Sequence, residues 1–477
     1  MREVTRFYIG GAWVEPTQPN VIEVINPATE KAAGHVALGA AADVDAAVTA
    51  ARAAFDSWSQ TSVEHRVEVL NAVIAEYQRR MPDLAAAVTE EMGAPDKLSA
   101  KVQVPIGLAH LMTAAASLPA YSFSEDRGSS RIVKEPIGVC GFITPWNWPL
   151  NQVLCKVAPA LACGCTMILK PSEQSPFSAA ILAEIMDAAG VPAGVFNLVN
   201  GDGPGVGAAL AAHPGIDMVS FTGSTRAGIE VARNAAPSVK RVAQELGGKS
   251  PNILLDDEDL AKNVGTGIFQ MMNNSGQSCN APTRMLVPRD RMAEVVAAIE
   301  AVEPKLTIGD PASGAMLGPV VNASQFDKIQ GLIARGLEEG ATAVIGGPGR
   351  PDGLETGYYV RPTVFTDVTN DMDIARTEIF GPVLVVIGYD DVEQAIAIGN
   401  DTEYGLAGYV SGRDLDEARR VASRLRAGSI SVNAAQLDPA APFGGYKKSG
   451  NGREWSDYAF DEFLEVKSIL GYAAAPA

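Results

Sequence analysis

Cys279 is the first candidate for a reactive side chain. It closes the segment at residues 274–279 (NSGQSC), where it follows a glycine turn and has no apolar neighbours in sequence. A structural cysteine usually lies in an apolar run, whereas an accessible thiol can ionise and act as a nucleophile. The segment therefore predicts a cysteine that is presented for chemistry.

Asn147 and Glu245 could complete such a site. Asn147 lies in the sequence PWNWP at 145–149, whose Pro and Trp residues fix an amide donor rigidly after a predicted strand. Glu245 lies where two predicted lobes meet and could act as a base, although alone it is more often a salt-bridged surface residue. Histidine offers little as an alternative base, because only residues 35, 65, 110 and 213 are His, and none forms a HExxH pattern. No metal site is predicted.

Three glycine-rich turns invite comparison with phosphate-binding loops. At 221–228 a predicted strand ends in a glycine turn, and Ser/Thr residues cap a helix whose free N–H groups could hold a phosphate. Capping without a ligand is the alternative. The segment 201–207 is dense in glycine but does not match GxGxxG, and a tight turn explains it equally well. Gly248-Lys249-Ser250 is not a Walker motif, because Ala243 replaces the required glycine.

Alternating strands and helices would position these residues. Buried strands are predicted at 137–143, 166–169, 195–199 and 218–221, with helices at 149–162, 176–189 and 205–212 between them. A second set of strands is predicted at 252–255, 284–287, 383–387 and 429–433, and long helices at 43–58 and 63–91. This pattern predicts an α/β fold of two doubly wound, Rossmann-like lobes that bind ligands at the carboxyl ends of their strands. Glu173 follows one such strand and could bond a ribose hydroxyl, although a solvated loop charge is commoner.

Composition excludes several classes of function. The chain has 477 residues, 47% of them apolar, and a net charge of −18, without any Lys/Arg run longer than two. We therefore expect neither nucleic acid nor an anionic membrane as a partner. The longest uncharged stretch, 102–124, contains Pro and His and is not expected to span a membrane. The start of the chain lacks a secretion signal and there are five cysteines, so we expect a cytoplasmic protein.

Taken together, seven motifs make the chain similar to the NAD(P)-dependent aldehyde dehydrogenase superfamily, of the hydrolytic type. They run in order along nearly the whole chain, so the resemblance is specific even though each alone is weak. The motifs are PWNWP (145–149), KPSEQSP (170–176), FTGST (221–225), ELGGKSP (245–251), GQSC (276–279), EIFGP (378–382) and PFGGYKKSG (442–450).

The resemblance implies a role for each catalytic candidate. Cys279 would attack the aldehyde to give a thiohemiacetal and, after hydride leaves, a thioester. The amide of Asn147 and the N–H of Cys279 would stabilise the oxyanion. Glu245 would activate the water that hydrolyses the thioester, and Glu454 matches a second carboxylate that some members use to relay protons.

The resemblance also implies NAD as the cofactor, with NADP possible but less favoured. Lys170 and Glu173 match groups at the adenosine ribose, Ser224 matches a pyrophosphate contact, and Glu378 matches the ligand of the nicotinamide ribose. The full set implied by the match is Thr144, Trp146, Lys170, Ser172, Glu173, Gly203, Gly207, Gly223, Ser224, Thr225, Gly228, Leu246, Gly247, Glu378 and Phe380.

The implied aldehyde pocket is roomy and partly polar. Matching gives Trp148, Asn151, Cys155, Asn273, Leu437 and Phe443. Positions 148, 151 or 152, and 155 also share one face of a helix that starts at Pro149, which supports the grouping independently. No arginine is present to clamp a carboxylate, so a semialdehyde acid is not favoured.

The implied domain organisation is discontinuous. A dinucleotide-binding domain would comprise 1–116 and 137–247, a catalytic domain 248–448, and an oligomerisation arm 117–136 with 463–477. By analogy the arm adds a strand to a neighbouring subunit, giving a homodimer or homotetramer. Two other functions stay open: a CoA-acylating aldehyde dehydrogenase, which has no need of a base at Glu245, and a catalytically silent structural or binding homologue.

Overall fold

Residues 1–436 and 438–473 are described by a computed structural model of the protein. Its strands are β1 (Arg2–Val4), β2 (Phe7–Ile9), β3 (Ala12–Val14), β4 (Val21–Asn26), β5 (Lys31–Ala37), β6 (Ser124–Arg127), β7 (Ser130–Pro136), β8 (Val139–Ile143), β9 (Thr166–Lys170), β10 (Phe196–Leu198), β11 (Met218–Thr222), β12 (Arg241–Glu245), β13 (Pro251–Leu254), β14 (Arg284–Pro288), β15 (Thr342–Ile345), β16 (Thr363–Thr366), β17 (Val383–Tyr389), β18 (Ala407–Ser411), β19 (Ser429–Val432), β20 (Gly450–Asn451) and β21 (Leu464–Ile469).

The α-helices lie between these strands. They are α1 (Ala41–Trp58), α2 (Val63–Met92), α3 (Asp96–Leu98), α4 (Val104–Ser117), α5 (Pro149–Cys163), α6 (Pro176–Ala188), α7 (Ala208–Ala212), α8 (Thr225–Ala235), α9 (Leu260–Met272), α10 (Met292–Val302), α11 (Ala323–Glu338), α12 (Asp373–Arg376), α13 (Val392–Asn400), α14 (Leu415–Arg424) and α15 (Tyr458–Glu462).

The first large sheet contains eight strands in the order β20-β12-β11-β8-β9-β10-β2-β3. Strands β12 to β10 run parallel, and β2, β3 and β20 add antiparallel edges. The central strands β8, β9 and β11 are fully buried because helices cover both faces, which explains their continuous apolar sequences. Their carboxyl ends therefore share one edge of the sheet.

The second large sheet contains seven strands in the order β15-β16-β17-β14-β13-β18-β19. All of its neighbouring pairs are parallel except β15 with β16. Strand β17 is buried along its whole length, and β15 and β19 form the two edges of the sheet among the described residues. The predicted fold class, two Rossmann-like α/β lobes, is confirmed.

Two small sheets complete the fold. Strands β1, β5 and β4 form one of them, and β21, β7 and β6 form the other. In the second, β21 pairs antiparallel with β7 from Leu464↔Pro136 to Ile469↔Arg131. This places the two predicted parts of the arm in one sheet. Val466 and Leu470, on and just after β21, are 66% and 79% exposed.

Predicted element boundaries differ from the structure in small ways. The predicted helix at 205–212 is a π-helical turn at Gly203–Gly207 followed by the short α7. The helical stretch Asp96–Ala120 is long and apolar enough to cross a membrane by length and composition alone. However, its α4 portion packs against α2 and α5, as a core helix does. The predicted domain boundaries stay predictions.

Candidate active site

The loop that carries Cys279 has an unusual backbone. After α9, Asn274, Ser275 and Gly276 all have positive φ, at 53°, 56° and 72°. This conformation is strained for the two non-glycine residues, and such backbone strain is typical of functional loops. Buried hydrogen bonds hold it: Asn274 Nδ2 donates to Asn147 O at 2.9 Å, and Gln103 Nε2 donates to Asn274 Oδ1 at 3.0 Å.

Two glycines allow other segments to approach this loop. A Cβ on Gly276 would overlap the backbone carbonyl of Gly381, and a Cβ on Gly248 would overlap the carbonyl oxygen of Cys279. The ELGGKSP and EIFGP motifs therefore pack directly against the cysteine loop. The Cys279 residue itself is half-buried. Burial raises the pKa of its thiol, and the negative charges of Glu378 and Glu245 raise it further. Cys279 is therefore a thiol that needs a base.

The PWNWP turn packs against the loop that carries Cys279. Asn147 is 2% exposed, and its Nδ2 donates to Gln277 O at 3.1 Å, while its Oδ1 has no partner among the described residues. The indole N–H of Trp148 donates to Ser278 Oγ at 2.8 Å. One N–H of the Asn147 amide is thus left to face a bound carbonyl beside Cys279.

Glu245 ends β12, between Thr222 of β11 and Gly450 of β20. It is 3% exposed, and neither carboxylate oxygen has a hydrogen-bond partner among the described residues. Burial raises its pKa well above the usual range, and the negative charge of Glu454 raises it further. An unpaired buried carboxyl is costly to keep, so its presence indicates a function.

A group of buried polar side chains lies near Glu245. Lys156 Nζ forms an ion pair with Glu454 Oε1 and donates to Thr222 Oγ1 at 2.7 Å. The thiol of Cys155 donates to Glu454 Oε2 at 3.1 Å. Burial disfavours the charge on Lys156, but the negative charges around it, above all that of Glu454, together outweigh burial and raise the pKa of Lys156. The sequence analysis missed Lys156; a lysine inside the wholly buried α5 was the signal.

An apolar cluster flanks the thiol. Cys155, Leu406, Phe443 and Trp455 form it, with Ile106 and Cys279 packed against it. The rings of Phe443 and Trp455 stack with centroids 4.9 Å apart and planes at 19°. Phe443 and Glu454 also exchange backbone hydrogen bonds of 2.8 and 2.7 Å. Of the predicted pocket residues, Cys155 and Phe443 are here, whereas Leu406, Trp455 and Ile106 were not anticipated.

The remaining pocket predictions differ in outcome. Asn151 is buried on α5, and its Oδ1 lies 2.7 Å from His110 Nε2, a partner that the sequence analysis did not identify. Asn273 is exposed at the end of α9, and its place in the pocket stays a prediction. Leu437 lies outside the described residues.

The predicted cofactor residues meet at the carboxyl edge of the first sheet. Lys170 ends β9, and its Nζ donates to Pro171 O at 2.8 Å and lies 3.4 Å from Glu173 Oε2. Burial lowers the pKa of Lys170, although Glu173 partly compensates. Thr144 follows β8, and its buried Oγ1 has no partner among the described residues. Ser172 Oγ accepts from Gln174 N at 3.2 Å and shapes the turn.

The β11–α8 turn offers backbone donors beside them. Ser224 is the N-cap of α8, and its side chain accepts from Ala227 N. A Cβ on Gly223 would come within 2.6 Å of the Phe221 ring, and one on Gly228 within 2.6 Å of Leu246. Thr225 Oγ1 donates to Lys448 O at 3.2 Å. Gly203 and Gly207 lie in the π-helical turn, and a Cβ on Gly203 would meet open space.

Glu378 connects the two lobes. Its Oε1 accepts from Gly248 N at 3.0 Å, and a Cβ on Gly247 would overlap its carboxylate. The ring of Phe380, which has a φ of 62°, packs edge-on against Trp146 at 5.5 Å. These groups together fit a dinucleotide. The Thr144 hydroxyl, Lys170 and the start of α8 offer hydrogen-bond donors, and the rings of Trp146 and Phe380 offer apolar surface. No group of three or more potential metal ligands occurs among the described residues.

Nearly the whole sequence is similar to proteins of one known family. A family model, "Aldehyde dehydrogenase family", matches residues 13–469, and the chain belongs to that family. One curated relative, a 3-succinoylsemialdehyde-pyridine dehydrogenase of a Pseudomonas species, is 57% identical and covers 99% of each chain. The family and enzyme class expected from the motifs are confirmed.

Solved structures agree with this assignment. A mutant of aldehyde dehydrogenase C from Pseudomonas syringae, in complex with NAD+ and octanal, superimposes with a TM-score of 0.98 at 53% identity, covering 99% of this chain and 98% of the other. An aldehyde dehydrogenase of Mycobacterium tuberculosis in complex with NAD+ gives a TM-score of 0.95 at 42% identity, covering 98% of each chain.

Proposed function

We propose that the protein oxidises an uncharged aldehyde to its carboxylic acid and reduces NAD+, by a hydrolytic route through Cys279. The observation that carries the route is Glu245, a buried carboxyl without a partner close to the thiol. A route that passes the acyl group to CoA needs no such base. A silent homologue would have no reason to keep it, since an unpaired buried carboxyl destabilises the fold.

In the first step the sulfur of Cys279 bonds to the aldehyde carbon, and the carbonyl double bond becomes an oxyanion. The thiol proton passes to water as this bond forms, against burial and the negative charges of Glu378 and Glu245, which raise the pKa of the thiol. The free N–H of Asn147 and the backbone N–H of Cys279 would stabilise the oxyanion. Losing one donor of this kind typically costs about 2.7–4 kcal/mol in the transition state.

NAD+, when bound, supplies the acceptor for the hydride of the aldehyde. On this chain, Lys170 and Glu173 would bind the adenosine ribose, the start of α8 the pyrophosphate, and Glu378 the nicotinamide ribose. The prediction of NAD as the cofactor is confirmed, since solved relatives hold NAD+. Preference over NADP is part of the proposal and follows from the carboxylate of Glu173.

The second step hydrolyses the thioester on Cys279. Glu245 would take a proton from water, whose oxygen then bonds to the acyl carbon, and the thiolate leaves. A carboxylate with a raised pKa is a stronger base, which suits this role. Glu454, which is paired with Lys156, would tune this base through its negative charge, which raises the pKa of Glu245.

The assembly is also a proposal. Val466 and Leu470 expose apolar side chains on the arm, and β19 is an unpaired edge of the seven-stranded sheet among the described residues. An arm that pairs with such an edge in a second copy would cover both, so we propose a homodimer or homotetramer. We also propose a cytoplasmic location, as the cysteine content suggests.

The experiment measures both products. Purified enzyme is incubated with NAD+ and either octanal or 3-succinoylsemialdehyde-pyridine, the compounds in the relatives' descriptions, with and without CoA. We expect equal amounts of NADH and free acid. Acyl-CoA as the main product would support the acylating alternative, and no NADH with any aldehyde would support the silent one.

Cys279→Ala should abolish this oxidation and leave NAD+ binding nearly intact, because the sulfur forms the covalent bond but holds no part of the dinucleotide. We expect turnover below about one thousandth of wild type. Cys140→Ala, in the buried β8, is the matched control and should keep full turnover. Turnover of Cys279→Ala above that level would rule out Cys279 as the nucleophile.

A further inference from the structure

His110 and Asn151 form a buried polar pair beside the apolar cluster. His110 comes from α4 and is 4% exposed, and Asn151 comes from α5 and is 8% exposed. The 2.7 Å contact joins His110 Nε2 to Asn151 Oδ1. Burial lowers the pKa of His110 to about 4, so the ring is neutral near pH 7. Because an amide oxygen only accepts, the ring hydrogen must lie on Nε2.

This bond leaves one donor and one acceptor unused. Asn151 Nδ2 and His110 Nδ1 make no hydrogen bond with the described residues, and neither belongs to the fully buried unpartnered atoms. Each of the two atoms therefore keeps some accessible surface and can contact a bound molecule. When a wholly apolar tail displaces water from these two atoms, they lose their hydrogen bonds, and binding of that tail is weakened.

The pair lies next to the place where an aldehyde tail would extend. Asn151 is one turn before Cys155 on α5, and Cys155 belongs to the cluster that Cys279 packs against. The ring of His110 lies 5.2 Å from Trp455 of the same cluster. His110, Cys155 and Trp455 also line one small cavity with Thr113.

The surrounding charges indicate that the group recognised is neutral. Lys156 on α5 and Glu454 on the facing segment are the charged groups that act on His110, and they neutralise each other in an ion pair. The neighbouring lining residues are Thr113, Ala114, Cys155, Pro159, Trp455, Ser456 and Ala459, all uncharged. An ionised tail would lose its hydration without gaining a counter-charge.

We infer that Asn151 and His110 are specificity-determining residues that favour aldehydes with an uncharged hydrogen-bonding group, such as a ketone oxygen or a ring nitrogen, in the tail. This inference rests on the proposed function. The ketone or ring atom accepts from Asn151 Nδ2, and a hydroxyl can also donate to His110 Nδ1. The pair acts on selectivity, and it takes no part in bond making at Cys279.

The test compares kcat/KM for hexanal, 4-oxohexanal and 5-oxohexanal, which differ in one carbonyl. In wild type we expect the better oxo-aldehyde to exceed hexanal by about 10-fold, the worth of one hydrogen bond between neutral groups. Asn151→Leu keeps the size but removes the amide, and the ratio should fall to near one. His110→Phe should lower the ratio in the same direction, because it releases Asn151.

Ratios within one variant cancel losses from misfolding, so a merely structural role would not move them. Thr113→Val changes the cavity beside His110, which Asn151 does not line, and should keep the wild-type ratio. A wild-type ratio near one, or a ratio that survives in Asn151→Leu, overturns the inference and leaves the proposed function intact. Failure of wild type to oxidise any of the three aldehydes would instead count against the proposed function.

Discussion

The surroundings of Cys279 and Glu245 oppose the charged forms that the chemistry needs. Cys279 is a thiol whose ionisation is disfavoured by burial, and Glu245 is a carboxyl with no partner. The two charged forms also disfavour each other, because the negative charge of Glu245 raises the pKa of the Cys279 thiol. The ionisation of the two groups is therefore coupled, although each serves its own step: Cys279 forms the bond to the aldehyde, and Glu245 takes a proton from water.

Glu245→Gln should slow deacylation, because an amide cannot accept a proton from water. In rapid mixing, we expect a burst of NADH approaching one per active site, followed by a steady state slower by at least about 100-fold. Glu230→Gln, on the exposed face of α8, is a control that should show wild-type kinetics. If the first turnover is slowed as much as the steady state, Glu245 is already needed for thiol activation.

Glu173→Gln should narrow the preference for NAD over NADP. The carboxylate lies 3.4 Å from Lys170 and would repel a 2′-phosphate, whereas Lys170 alone would attract one. We expect wild type to favour NAD by about 5- to 150-fold in kcat/KM. The substitution should reduce that ratio, and Glu184→Gln on α6 should not. A wild type that uses both cofactors equally well would contradict the role.

The sequence predicted the reactive residues better than their neighbours. Cys279 and Asn147 stood in motifs with distinctive local composition, whereas the role of Glu245 was implied by the family resemblance; the structure places the three segments together. Lys156, His110 and Trp455 were missed because their roles depend on partners far along the chain, such as Lys156 with Glu454. Asn273, which was assigned to the pocket by matching, is exposed at the end of α9, and its role in binding stays a prediction.

Among the structural elements, the loop after α9 is the most constrained. Three successive positive φ angles direct the chain toward Cys279, and hydrogen bonds from Asn274 fix the turn to the PWNWP segment. Local sequence indicates a turn through Ser-Gly, but the two strained residues before the glycine depend on bonds to Asn147 and Gln103. Sequence patterns could not predict those contacts, which join residues more than a hundred positions apart.

Gly276→Ala should disrupt this loop. Its φ of 72° is unfavourable for alanine, and the added Cβ would overlap the carbonyl of Gly381. We expect kcat/KM to fall by about 100-fold, as for small displacements of a reacting group, together with a lower Tm. Gly331→Ala is the matched control: it lies exposed within α11, where a Cβ meets nothing. It should raise stability by about 0.5–1 kcal/mol.

On the scale of the whole molecule, the order of strands explains why the site lies where it does. The carboxyl ends of β8, β9, β11 and β12 share one edge, and the second lobe supplies Cys279 and Glu378 against it. Periodicity and turn residues predicted both parallel sheets. They could not predict that β20 joins the first sheet, because two residues carry no periodic signal.

Val466→Glu should separate the proposed oligomer into smaller species. The side chain is 66% exposed in one chain and would be buried in an assembly that uses β21, where a carboxylate has no partner. Light scattering after size exclusion should show a lower mass at micromolar concentration. Lys467→Gln, whose side chain instead pairs with Glu135, should keep the wild-type mass. Equal masses for all three proteins would remove the arm from the assembly.

The pairing of β20 with β12 has a consequence for how the chain is threaded. The chain leaves the first sheet after Glu245 and returns at Gly450, and these two residues are direct partners in the antiparallel pair. Neighbouring strands lie about 5 Å apart, so the points of departure and return are adjacent. In this sense residues 246–449 form a domain insertion whose ends already meet. A tight turn that joins residue 245 to residue 450 would therefore keep the chain of the first lobe continuous. Residues 246–449 are thus the segment that could be replaced as a unit by the corresponding segment of another family member.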